Sequence, residues 1–425
     1  MVDIRNLREN PERYREGARK KGFNAEIEQV LVLDEERRRL QASVDSRKKQ
    51  LGEKSAAMKK AAPSGAPAGR EALQAELKAF SRGVKEDEAK LKEAEEGLTR
   101  LLLAVPNPPM DDVPFGKSEA DNVELRRVGE PAAFAFKPRD HLELAQRNGI
   151  VDMERGVKVA GARSYYLRGD GALLENAVMR YVLDFLAGRG FVPFITPVLV
   201  KEACMVGSGY FPTGREEAYA VEKDELFLIG TSEVTLISYH MDEILREEDL
   251  PLRYAGYTTC YRREAGSYGK DVRGLFRVHQ FQKVEQVVIC RDDEEEMTRM
   301  HGEILGNSER IVKDLGLPYR VVEVCTGDMG LGQVKKHDIE CWMPGRGGYG
   351  ETHSCSSLGD FQARRARIRY KGKDGANRFP YTLNNTAVAS PRILIAILEN
   401  FQNEDGSVTV PDVLVPYMQG KKRIG

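Results

Sequence analysis

The stretch Tyr257-Thr258-Thr259-Cys260-Tyr261 runs into Arg262-Arg263-Glu264 and then a glycine-rich loop, Gly266 to Gly274. The chain returns as Leu275-Phe276-Arg277-Val278-His279-Gln280-Phe281 and continues into Lys283-Val284-Glu285. Two strand-like runs around a glycine-rich segment predict a paired hairpin, with strands at Tyr257 to Tyr261 and from Leu275 onward. Period-two alternation sends Arg277, His279 and Phe281 to one face. A guanidinium beside an aromatic ring suits a nucleotide, because Arg forks bind phosphate and the ring stacks on a base. Further strands are expected at Leu226 to Ile229, Val284 to Ile289 and Tyr319 to Val324. The clearest helix is Ala172 to Leu186, where residues 173, 174, 177, 178, 181, 182, 185 and 186 form one apolar stripe.

Residues 26 to 104 have a different composition. About two in five are charged, and Phe80 is the only aromatic. After Ala62-Pro63-Ser64-Gly65-Ala66-Pro67, apolar residues recur at 73, 77, 80, 84, 91, 94, 98 and 101, a heptad seam. Before that turn the seam is Val30, Leu33, Leu40, Val44, Leu51 and Met58, interrupted by Arg37, Arg47 and Lys54. The pattern predicts two helices of about 35 residues in an antiparallel hairpin about 50 Å long. Acids, among them Glu26, Asp34 and Glu86, gather near its base, whereas Arg47, Lys48, Lys49, Lys59 and Lys60 lie toward its tip. A basic outer half suits an arm that grips a polyanion; a solvated coiled-coil face is the alternative. Val105-Pro106-Asn107-Pro108-Pro109 ends the second helix. The expected layout is an arm domain at 1–104, a linker at 105–130 and a globular domain at 131–425.

Several function classes drop out. With 425 residues, 41% of them hydrophobic, the chain can bury a large core, which excludes wholesale disorder. The longest apolar run, Ile393 to Leu398, is far short of the roughly 20 residues a membrane span needs. The first twenty residues mix acids with arginines and lack an apolar core, so a signal peptide is not expected and the cytoplasm is. Six scattered cysteines form no C-x-x-C pair and read as free thiols, with no zinc expected. Gly345 to Gly350 matches G-x-G-x-x-G, yet Glu351 to Ser357 after it has no helical period, so a Rossmann site is rejected.

Three segments together resemble the signature motifs of class II aminoacyl-tRNA synthetases. They are Gly190-Phe191-Val192-Pro193-Phe194-Ile195-Thr196-Pro197, the Tyr261-Arg262-Arg263-Glu264 hairpin, and Asn384-Asn385-Thr386-Ala387-Val388-Ala389-Ser390-Pro391-Arg392 before an apolar helix. The N-terminal hairpin, Thr231-Ser232-Glu233 and Glu351-Thr352-His353-Ser354 narrow the resemblance to the seryl-tRNA synthetase family, bacterial type. It covers essentially the whole chain. The implied fold is α+β, an antiparallel-sheet catalytic domain carrying a two-helix coiled-coil arm. The implied reaction joins L-serine to tRNA(Ser) at the expense of ATP with Mg²⁺, in a C2 homodimer, with tRNA(Sec) as a further acceptor. The apolar stripe of Ala172 to Leu186 is expected to need a second copy as its cover.

The resemblance also implies roles. The catalytic arginines are Arg262, bridging the serine carboxylate and the α-phosphate, and Arg392, which with Arg277 holds the γ-phosphate end. Glu264 reads the adenine amino group, Phe281 stacks on the base, and Arg263, Val278, Thr352 and His353 line the nucleotide. Glu351 and Ser354 match a magnesium-binding pair, and hard oxygen ligands suit that ion. Thr231, Ser232 and Glu233 wall the serine pocket, Glu285 meets the ammonium and hydroxyl, and Thr386 caps the hydroxyl. Thr386 stands where many members have Ser, and Ala387 to Pro391 replace a glycine-rich stretch. The arm, through Arg47, Lys48, Lys49, Lys59 and Lys60, would contact the long variable arm of the tRNA. A catalytically inactive paralogue, an amino acid:carrier-protein ligase, and relatives specific for Thr, Pro or Ala are the alternatives.

Overall fold

The computed structural model describes residues 1–61, 67–265 and 274–425. The expected turn at 62–66 and most of the glycine-rich loop, residues 266–273, lie outside the described residues, as do the side chains of Lys59 and Lys60. The chain forms two compact units. One comprises Val2–Ala18 and Phe23–Val105, the other Pro106–Gly425 with Met1 and Arg19–Gly22.

In the smaller unit, helices α1 (Ile27–Ala61) and α2 (Pro67–Ala104) pack along their length, as the heptads predict. Val30, Val44, Val84, Leu91, Ala94 and Leu98 are buried along the seam. In the last turn Leu102 is buried and Leu101 only partly, because 3.6 residues per turn drifts against a strict heptad. Ion pairs occupy the polar seam positions. Arg47 lies 3.2 Å from Asp87, and Lys54 pairs with Glu76 while resting 5.5 Å from the Phe80 ring centroid. At the base, Asp34 is 1% exposed and meets Arg8 at 2.8 Å, Arg37 at 3.1 Å and Arg38 at 3.2 Å. Burial alone would raise its carboxyl, but hydrogen bonds from Arg8 and Arg37 hold it below the ordinary carboxylate range.

The larger unit is built on strands β1 (Val123–Val128), β2 (Val192–Ile195), β3 (Leu252–Tyr261), β4 (Gln280–Cys290), β5 (Tyr319–Glu323), β6 (Lys335–Met343), β7 (Gly348–Gly359) and β8 (Tyr381–Ala389). Among the described residues these form one sheet in the order β1-β5-β6-β7-β8-β4-β3-β2. β2 runs parallel to β3, and every other pair in the sheet is antiparallel. Strand β1 lies inside the 105–130 segment expected as a linker, where it bonds to β5 as the sheet edge. Gly345 to Gly347 turns the chain from β6 into β7, which is a hairpin and no dinucleotide loop.

The returning strand also differs from the expectation. β4 starts at Gln280, opposite Tyr261, and residues 275–279 are not strand. Arg262 N–H donates to the His279 carbonyl at 3.0 Å, His279 N–H donates to the Arg163 carbonyl at 3.2 Å, and His279 Nδ1 lies 3.0 Å from the Arg262 carbonyl. These bonds take up backbone groups that a ladder would use. Alternation therefore does not govern Arg277 and His279.

Helices α3 (Asp170–Ala187), α4 (Glu294–Asp314) and α5 (Arg392–Asn400) pack on the sheet. Leu174, Ala177, Val178, Tyr181, Val182 and Leu186 of α3 are buried in one cluster with Val284, Val288 and Leu383. The stripe expected to need a second subunit is thus covered from within the chain. On β4, Gln286 turns toward α4, donating to the Ile304 carbonyl at 3.1 Å and accepting from Asn307 at 2.8 Å. Alternation then turns Lys283 and Glu285 to the other face. That face carries the site.

Candidate active site

Two cavities meet at Arg262, one of about 610 Å³ and one of about 210 Å³. Tyr210, Glu233 and Arg277 border the larger, and Val278, Phe281, Lys283, Glu351, Thr352, Ser354 and Thr386 border the smaller. Arg262, Glu264 and Arg392 border both. The Arg262 guanidinium is held by the Gly230 carbonyl at 3.3 Å and sits 5.4 Å from the Phe281 ring centroid. Glu264 has φ of 53°, a left-handed conformation uncommon for a residue with a Cβ. Its carboxylate reaches Arg277 at 3.3 Å. Arg392 opens α5, where the positive end of the helix faces the cavity. It donates to the Glu351 carbonyl at 3.0 Å, and its guanidinium lies 4.4 Å from the Phe276 ring centroid. Arg346 lies 4.3 Å from the centroid of the same ring.

Two β-bulges decide which side chains share this face. On a regular strand, Glu351 and Ser354, three apart, would point to opposite sides. In β7 the register runs Glu340↔Glu351 and then Ile339↔His353, so Thr352 is the inserted residue. Glu351 and Ser354 thereby oppose Glu340 and Asp338, two apart, and come to one face. In β8 the pairs Glu285↔Thr386 and Val284↔Val388 make Ala387 the inserted residue. That brings Thr386 opposite Glu285 while Ala389 stays opposite Lys283.

At the closed end, Lys283 Nζ donates to Thr231 Oγ1 at 2.7 Å and pairs with the Glu285 carboxylate. Thr386 Oγ1 donates to the same carboxylate at 3.4 Å. Glu233 accepts from Gln362 at 2.6 Å and from Asn384 at 2.8 Å. Burial, and then the charge of Glu285, push its carboxyl up to about 7. These groups can hold a small molecule bearing both an ammonium and a hydroxyl.

At the open end, Glu351 Oε1 lies 3.4 Å from Arg392. Glu351 keeps 46% of its side chain exposed; desolvation by the surrounding protein would raise its carboxyl, but the charges of Arg392, Lys336 and Arg262 hold it below the usual range. Across from Ser354, the buried Asp338 Oδ1 has no hydrogen-bond partner. Glu351 and Ser354, a carboxylate and a hydroxyl lining the smaller cavity, are hard-oxygen donors of the kind that suits Mg²⁺.

Other expected residues lie elsewhere. Arg263 is exposed, its guanidinium on the Glu216 carbonyl at 3.2 Å, and it borders neither cavity. His353 is 1% exposed and lies 2.8 Å from Thr352 Oγ1; burial pushes its imidazole down to about 4, so it stays neutral. The Ser232 hydroxyl donates to the Gly256 carbonyl at 3.1 Å, which makes it a wall support. On the arm, Arg47 and Lys48 are engaged by Asp87 and Glu88, at 3.2 and 2.8 Å, and Lys49 is exposed. Lys283, Phe276, Gln362 and Asn384 join the site in addition to the residues expected from the sequence. Lys283 lies two before Glu285, a spacing that puts both on one strand face, whereas the other three depend on long-range folding.

Comparison with known proteins identifies the family. The profile of the seryl-tRNA synthetase N-terminal domain matches residues 1–109, and that of the tRNA synthetase class II core domain (G, H, P, S and T) matches residues 218–401. A serine–tRNA ligase of Deinococcus radiodurans is 46% identical over 425 residues, covering 100% of this chain and 99% of the relative. The crystal structure of seryl-tRNA synthetase from Pyrococcus horikoshii complexed with ATP superposes with a TM-score of 0.91 at 37% identity, over 100% of this chain and 99% of that one. The cytoplasmic serine–tRNA ligase of Naegleria fowleri in complex with AMP gives 0.87 at 33% identity, over 100% and 98%. With both halves matched and relatives alike over their full length, the chain belongs to the seryl-tRNA synthetase family.

Proposed function

We propose that this chain activates L-serine with ATP and then transfers the seryl group to the 3′-terminal adenosine of tRNA(Ser). The observation that supports this best is that Arg262 lines one cavity together with Lys283 and Thr386, from the Lys283–Glu285–Thr386 cluster, and with Phe281, Glu351 and Arg392. In the first step the serine carboxylate attacks the α-phosphorus, the bond to the bridging oxygen breaks, and pyrophosphate leaves. Both reactants are anions, so fixed cations aligned along the attack lower the barrier. Arg262 contacts the carboxylate and the α-phosphate, while Arg277 and Arg392 hold the γ end. Phe281 stacks on adenine, Glu264 accepts from its amino group, and Val278 and Thr352 line the nucleotide. Glu351 and Ser354 would hold Mg²⁺, which would supply charge neutralisation at the phosphates. In the second step the ribose hydroxyl of the tRNA attacks the seryl carbonyl and AMP leaves.

Glu285 receives the serine ammonium, and Thr386 meets the hydroxyl. Alanine would leave these buried polar groups unsatisfied, which is how such a site rejects it. The basic tip of the arm grips tRNA backbone, since RNA helices are read by shape and phosphate contacts. Two copies join along β2, whose Ile195 is 89% and Val192 52% exposed, apolar side chains on a sheet edge that invites a partner. The enzyme works in the cytoplasm, and no helix among the described residues is long and apolar enough to cross a membrane. tRNA(Sec) as a second acceptor rests on family resemblance.

Pyrophosphate exchange measured with serine, threonine, alanine and glycine, followed by charging of tRNA(Ser) and tRNA(Sec) transcripts, tests the reading. Exchange should depend on serine. Exchange driven by another amino acid, or none at all, would overturn it.

A further inference from the structure

Lys283 carries a positive charge into the pocket assigned to the amino acid. Its side chain is 6% exposed and the Glu285 side chain 3%. Its Nζ lies between a hydroxyl, Thr231 Oγ1 at 2.7 Å, and the Glu285 carboxylate, which also receives Thr386. An ammonium between a hydroxyl and a carboxylate is the setting that an amino acid's own α-ammonium requires. Both nitrogens compete for the same oxygens.

Resting on the reading of this pocket as the serine site, we propose that Lys283 is a specificity-determining residue. It holds the place of the α-ammonium and, once displaced, meets the substrate's carboxylate, so that the pocket admits amino acids and rejects amines of the same shape. Charge accounting carries the argument. A ligand that is only a cation would take Glu285 and leave Lys283 facing only Glu233, whose carboxyl burial pushes up to about 7, and an under-compensated buried charge is strongly unfavourable. A zwitterion brings a carboxylate on the carbon next to its nitrogen. A displaced Nζ can follow it, because the flexible four-carbon stem lets the ammonium swing. Arg262, on the border of both cavities, is the second partner assigned above to that carboxylate. Position on the strand makes the exchange possible: Lys283 and Glu285 are two apart on β4 and share one face, with Ala389 opposite Lys283 leaving room beside it.

Serinol, which keeps serine's ammonium and hydroxyl but has a CH₂OH group in place of the carboxylate, separates this role from a merely structural ion pair. Affinities for serine, serinol and ATP would be measured by titration on the full-length wild type, Lys283→Met and Lys283→Gln. The wild type should prefer serine strongly. In both variants the preference for serine over serinol should fall by about tenfold or more, because the penalty on a bare cation and the partner of the carboxylate disappear together. An unchanged ratio, with both affinities moving in step, would overturn the proposal. Loss of ATP binding by both variants would also overturn it, by marking Lys283 as a structural support. A wild type that bound no serine would instead remove the pocket assignment itself.

Discussion

Replacing Glu233 by glutamine tests the electrostatics of the pocket directly. The carboxylate accepts from Gln362 at 2.6 Å and Asn384 at 2.8 Å through the same oxygen, Oε1. Burial and the charge of Glu285 raise its carboxyl from the ordinary 4.5 to about 7. The fold therefore favours the neutral acid. Its contribution to stability is fully present below the unfolded value near 4.5 and is lost as pH rises through the folded value near 7. At about 1.4 kcal/mol per pH unit, the loss amounts to about 3 kcal/mol by pH 8. Glu233→Gln keeps an oxygen for Gln362 and Asn384 and cannot ionise. Paired unfolding curves of wild type and variant, run without substrates from pH 4.5 to 8, should coincide at the acid end. From about pH 4.5 upward they should diverge by about 1.4 kcal/mol per pH unit and level off near pH 7, leaving the variant more stable by about 3 kcal/mol from there to pH 8. In a Glu285→Gln background the divergence should shrink, because the second cause is gone. A difference that stays flat with pH would refute the reasoning, and one of opposite sign would mean that the fold prefers the carboxylate.

Arg262→Ala and Arg392→Ala should each lower serine-dependent pyrophosphate exchange about a hundredfold or more while circular dichroism stays unchanged, as loss of a charge-assisted transition-state contact costs about 3 kcal/mol; near-wild-type exchange by either would sink the roles given to them. Replacing residues 37 to 95 with a short linker should spare exchange and cripple transfer to tRNA, and normal charging by the truncated enzyme would reassign the arm. Gly256→Ala should disturb the pocket wall, because its Cβ would stand 2.6 Å from Ser232 Oγ and 2.8 Å from Leu236 Cδ1. Overpacking of that kind costs about 1–3 kcal/mol, so a variant with unaltered melting and serine affinity would show the wall to be loose.

Much of the architecture could be read from local pattern. The heptads placed α1 and α2, and apolar periodicity found α3. Short apolar runs located parts of β4 and β5. In each case the information lies within one or two turns or a few residues of strand, which is the range over which side-chain period reports on the buried face. The site residues were recognisable as types in order: guanidinium and carboxylate at a strand end, an aromatic on the return, an arginine opening a helix. Those signals are local too.

What the residues' order could not say is which of them would face one another. Glu351 and Ser354, and likewise Thr386 and Ala389, have a spacing that a regular strand sends to opposite sides. The inserted Thr352 and Ala387 bring each pair together, and a bulge is a property of two paired strands. The start of β4 at Gln280 depends on bonds among Arg262, His279 and Arg163, more than a hundred residues apart in part. The stripe on α3 reads the same whether its cover is a second subunit or the chain's own sheet, and only the packed core distinguishes the two. Lys283 looks like one more polar strand residue until Thr231, fifty-two positions earlier, closes over it at 2.7 Å. Periodicity encodes the burial of a face, whereas the meeting of charges across strands depends on register, and register is settled when the sheet assembles.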